Sequence, residues 1–113
     1  MEGLRKSDEK ELYKKLTKFA GRKLSYHIDG GPWTATEIAS AIKTQSSRIS
    51  EIRKGTRQIS RSVFASLVKE GFIKMSELKA EVGLTDKEQE YIDENFGLLD
   101  DRRAAKFYNN LKK

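Results

Sequence analysis

The chain has no cysteine, one histidine and one proline. Without thiols there is no disulfide, no thiolate zinc site and no cysteine nucleophile, and a single imidazole gives little with which to build a metal site or a His-relayed triad. Acid pairs such as Asp93-Glu94 and Asp100-Asp101 stand without a glycine-rich loop, a base or a metal partner. The expectation is therefore no catalytic residue, no metal, no cofactor and no enzyme. No apolar run approaches the roughly 18 residues of a membrane helix, and Met1 to Asp8 carries no apolar h-region, so a cytoplasmic chain with no membrane partner is expected. Sustained strand-type alternation is missing as well.

What is present is a helical pattern and an uneven charge. A hydrophobic content of 36% over 113 residues suits one compact domain, or one domain with a helical appendage. The net charge is +6, and the excess is central: residues 34–74 carry 8 basic and 3 acidic groups, against 7 basic and 9 acidic over 75–113. Between Lys43 and Arg61, Lys43, Arg48, Arg53, Lys54, Arg57 and Arg61 meet only one acid, Glu51. A one-signed cluster beside an acidic C-terminal third points to a localised anionic partner.

The spacing predicts an all-α fold. Leu12, Leu16, Ala20, Leu24 and Ile28 recur at i+4 beside Phe19, which gives one long helix from Asp8 to His27, capped by Ser7. A break at Gly21 into two helices is the alternative. Asp29-Gly30-Gly31-Pro32 stops the helix. Thr34 and Glu37 then form a capping box, with Trp33 stapling onto Ile38. This second helix presents Ile38, Ala39 and Ile42. Thr44 caps a third helix, about 45–54, which buries Ile49 and Ile52 and ends at Gly55. Ser60 caps a helix with Val63, Phe64, Leu67 and Val68 inward. A short helix runs from Met75 to Val82, and Thr85 with Glu88 caps another that carries Tyr91, Ile92 and Phe96. After Gly97-Leu98-Leu99, Asp100 caps a last helix with Ala104, Phe107, Tyr108 and Leu111. Residues 1–83 are thus read as a helical domain and 84–113 as a C-terminal helical hairpin. The hairpin's apolar stripe serves either the core or a subunit interface, and its expected role is oligomerisation.

Two short helices with three or four residues between them, and the small Ala39 where they cross, meet the packing needs of a helix-turn-helix at 35–54. The string Ile49-Ser-Glu-Ile-Arg-Lys-Gly-Thr-Arg-Gln-Ile-Ser60 resembles the Cro and phage-repressor (Xre-type) family, and the likeness covers about 35–68. The chain departs from that pattern at four places: Lys43 stands where glycine is usual in the turn, Ala35 where a phosphate-binding glutamine is frequent, Arg53 where an acid is frequent and Ile59 where proline is frequent. Lys43 must therefore take a left-handed conformation, at about 1 to 2 kcal/mol, or turn differently.

With Ile49 and Ile52 inward, the opposite face of the 45–54 helix presents Gln45, Ser46, Ser47, Ser50, Glu51 and Lys54 to a major groove as base-reading candidates. The resemblance carries that role to Ser46, Ser47, Ser50 and Glu51. Thr34, Lys43, Arg48, Arg53, Arg57 and Arg61 are the phosphate-binding candidates. Arg48 and Glu51 could instead simply pair on the helix surface. The expected function is a sequence-preferring double-stranded DNA-binding transcription regulator of phage or bacterial type, nucleoid-associated when bound. It would act as a homodimer or higher homo-oligomer, with RNA polymerase or another protein as a further candidate partner. The alternatives are a protein-interaction module, such as an antitoxin-like or polymerase-binding adapter, and a DNA-packaging or excision accessory protein.

Overall fold

A computed structural model describes residues 4–96 as six helices with no strand among the described residues. They are α1 (Lys6–Asp29), α2 (Ala35–Ala41), α3 (Ser46–Lys54), α4 (Arg61–Lys69), α5 (Met75–Glu81) and α6 over 86–96. The all-α expectation holds. Among the described residues no helix is long and apolar enough to cross a membrane.

The long first helix forms without a break, and it starts earlier than Ser7 would set it. Arg5 is its N-cap and makes no side-chain cap bond, while Asp8 and Glu9 sit in the first turn, where carboxylates favour the helix dipole. Gly21 has a different use from the hinge considered above. A Cβ there would stand 3.1 Å from the Ile52 carbonyl oxygen, so the missing side chain lets the α3 backbone lie directly on α1. Four residues earlier, the buried Thr17 hydroxyl donates to the Tyr13 carbonyl at 2.6 Å and accepts from the Ile59 amide at 2.9 Å. That pair of bonds ties α1 to the segment that leaves α3.

Three helices end in the same way. After α2, the Thr44 amide donates to Ala39 O (2.8 Å) and the Lys43 amide to Ser40 O (3.2 Å), the paired bonds of a Schellman closure with the C′ residue left-handed. After α3, Thr56 donates to Glu51 O and Gly55 to Ile52 O; after α4, Phe72 donates to Leu67 O and Gly71 to Val68 O. Gly55 (φ 78°) and Gly71 (φ 87°) fill two of the left-handed positions, and Lys43 (φ 58°) fills the third. It is the one positive-φ residue other than glycine among the described residues. The closure also corrects the start of α3: Thr44 is used as the residue after the left-handed one, so the N-cap falls on Gln45, which makes no side-chain cap bond.

Leu12, Leu16, Phe19 and Leu24 of α1 share one core with Ile38 and Ala39 of α2, Ile49 and Ile52 of α3, the α4 stripe and Leu78 of α5. The same core takes Ile92 and Phe96 of α6, both at most 1% exposed, with Phe96 edge-on to Phe64 at 4.9 Å. Tyr91 bonds the Tyr13 hydroxyl at 2.8 Å. The first half of the apolar stripe, Tyr91, Ile92 and Phe96, thus packs with the core of α1 to α5. The loop at Gly97-Leu98-Leu99 and the last helix with Phe107, Tyr108 and Leu111 lie outside the described residues. Trp33 meets the Phe72 ring edge-on at 4.9 Å and stays 38% exposed.

Candidate nucleic-acid interface

The candidate site is the outward side of α3 with the turn before it and the loop after it. Ile49 and Ile52 are fully buried on the opposite side, and α3 packs against both α1 and α2, so its orientation is fixed from two directions. Ala39 of α2 is buried as well. Gln45, Ser46, Ser47 and Lys54 are exposed and Ser50 is half-buried. No side chain of these five makes a hydrogen bond or ion pair among the described residues. The sixth base-reading candidate, Glu51, is engaged: Arg57 Nε donates to its Oε1 at 2.5 Å, with both side chains about half-exposed. The Arg48 to Glu51 pairing weighed from the spacing is replaced by this one, because the Schellman turn after α3 brings Arg57 back over the helix end.

The six phosphate-binding candidates separate into two groups. Lys43 is exposed in the turn, Arg48 is half-buried at the first turn of α3, and neither has a charged partner among the described residues. Arg57 belongs with them, its one partner among the described residues being the half-exposed Glu51. The others are turned to different work. Arg53 donates from Nε to Ser25 Oγ (3.2 Å) and from Nη2 to Asp29 Oδ2 (2.8 Å), so it clamps α3 to the end of α1. Arg61 reaches Asn95 Oδ1 of α6 at 3.3 Å. Thr34 completes the capping box: its Oγ1 accepts from the Glu37 amide at 3.1 Å and its amide donates to Glu37 Oε1 at 2.9 Å.

Sequence reasoning gave α1 no part in this face, yet a groove of about 1100 Å³ opens between α1 and the end of α3. Lys14, Lys15, Lys18 and Arg22 line one side of it, and Arg53, Lys54 and Gln58 line the other. The spacing of Lys14, Lys18 and Arg22 at i, i+4 and i+8 was visible in the sequence. What it lacked was the knowledge that α3 ends against that edge.

Comparison of the chain with models of known families, with curated proteins and with solved structures found no match.

Proposed function

We propose that this protein is a sequence-preferring double-stranded DNA-binding regulator of the Xre type, which inserts α3 into the major groove. The observation that carries the reading is Lys43. Of three identical helix closures, two use glycine and one uses lysine in a left-handed conformation that costs about 1 to 2 kcal/mol. Strain of this kind is kept where it serves a purpose, and here it puts an ammonium group at the entry to α3. The helix that follows offers amide, hydroxyl and ammonium groups with no internal partner, the chemistry that base edges and phosphates take.

Gln45 and Lys54 are suited to adenine and guanine respectively, while the serines discriminate weakly, so backbone contacts and duplex shape supply much of the binding. Glu51 reads a base only by releasing Arg57, which makes it a switchable contact; Lys43, Arg48 and Arg57 hold the strands on either side. Selection of bound sites from random duplex DNA, followed by footprinting, tests the reading. A reproducible consensus protected in the major groove supports it, and recovery of no enriched sequence removes it.

A further inference from the structure

We infer that the basic groove between α1 and the end of α3 holds the sugar-phosphate backbone of the same duplex that α3 enters, beyond the base pairs α3 reads. The inference rests on the DNA-binding reading and gives the long first helix a role in it. Among the described residues that line the groove six are basic (Lys14, Lys15, Lys18, Arg22, Arg53 and Lys54) and one, Glu11, is acidic. Lys15 is committed to Glu88 at 2.7 Å, Arg53 to Asp29 at 2.8 Å and Arg22, in a longer pair, to Glu81 at 3.6 Å, so these three shape the walls and Lys14, Lys18 and Lys54 are the cations left for a ligand. Lys18 and Lys54 are exposed with no charged partner among the described residues. Lys14 has only an open pair with Glu11 at 3.4 Å, both side chains more than half exposed.

The geometry suits a regularly charged, featureless strand. Lys14, Lys18 and Arg22 follow one another at about 6 Å along the helix edge and span about 12 Å in all. A duplex carries one phosphate per about 3.4 Å of axis on each strand, so three or four phosphates pass that length. The floor is made of Thr17, Gly21, Ser25 and the backbone of α3, with Ile52 already buried by the core. Lys54 belongs both to the groove and to the outward side of α3, so the two surfaces are continuous.

The test compares the full chain with its Lys14→Ala/Lys18→Ala variant on a mixed-sequence 30-bp duplex over a series of salt concentrations. Both lysines are exposed, so the variant keeps the wild-type melting temperature. Its slope of log K against log salt should be shallower by about 2, with a tenfold or greater loss of affinity at low salt. Equal slopes for the two proteins overturn the groove proposal and leave the DNA reading standing; a wild-type slope shallower than about −2 removes both. Hydroxyl-radical footprinting of the wild type is independent of any folding defect in the variant. Three or four protected sugars on one strand outside the major-groove contact support the proposal, and protection confined to that contact overturns it. A labelled polyglutamate chain bound as tightly as the duplex, and lost in the variant, would assign the groove to an acidic protein and overturn it also.

Discussion

The side of the molecule where α1 meets α5 and α6 has its charges matched, and the outward side of α3 does not. On the first, Lys23 bonds Glu81 at 2.9 Å, Lys15 bonds Glu88 at 2.7 Å and Lys79 bonds Asp93 at 2.8 Å, each pair joining two different helices. Glu88 shows how tightly this side is tuned. Burial pushes its carboxyl up, but the Lys15 ammonium and the Thr85 amide outweigh that and hold it below the ordinary value of 4.5. On the second side, Lys43 and Lys54 are exposed, Arg48 is half-buried, and none of the three has an ion-pair partner among the described residues. Both sides have cations to spend. Unpaired cations on one face cost self-repulsion there, and the DNA-binding proposal assigns that face to an outside anion.

The largest effect tests whether the matched side is one domain with the rest. Truncation after Gly83 removes Ile92, Phe96 and the Lys15 to Glu88 pair, and each large core side chain lost costs about 2 to 5 kcal/mol against a total stability of about 5 to 15. The truncated chain should lose its cooperative urea transition. A sharp transition at the wild-type midpoint would return α6 to the status of an appendage.

Gly21→Leu attacks the joint between the two sides. Its side chain would drive into the Ile52 carbonyl, so a loss of about 2 to 3 kcal/mol is expected, with duplex affinity falling in parallel as α3 shifts. Calorimetric melting and a binding titration on the same sample would show whether the two losses track each other.

Glu88→Gln should cost about 1 to 2 kcal/mol at neutral pH, the worth of a hydrogen bond to a charged group. Because the folded carboxyl titrates below its unfolded value, its contribution is complete above about pH 5 and is lost as pH falls through the lowered value. Wild-type stability should therefore decline on acidification more steeply than that of the variant; parallel curves would mean that the pair is idle.

Lys43→Gly relieves the left-handed strain and should raise stability by up to about 1 kcal/mol. If the lysine is there for phosphate, the same change reduces the salt slope by about 1, and a stabilised protein with an unchanged slope would deny Lys43 that use. Smallest of all, Arg48→Ala should move stability by no more than about 0.5 kcal/mol, since its charge has no partner among the described residues. Its effect should fall on duplex affinity alone.

Periodicity and capping chemistry carried much of the fold. The capping boxes at Thr34 and Thr85, the Ser60 cap, the glycines at 55 and 71 and the inward Ile49 and Ile52 are local patterns, and local backbone chemistry settles them. Ser7 and Thr44 misled because good capping residues stood near helix starts whose registers were set by other bonds. The candidate face was legible in outline, since burying one side of a nine-residue helix exposes the other.

The sequence by itself determined the helices, the turn positions and the inner and outer sides of α3, because those depend on residues within a few positions of one another. Only the tertiary structure decided which cations remain open. Arg53 and Arg57 carry the same group four residues apart; one clamps α1 and the other covers Glu51, and nothing local distinguishes them. Which partner a long side chain finds depends on what the fold brings within about 4 Å of its charge. Asp29 reaches Arg53 across 24 residues of chain because Gly21 lets α3 settle onto α1.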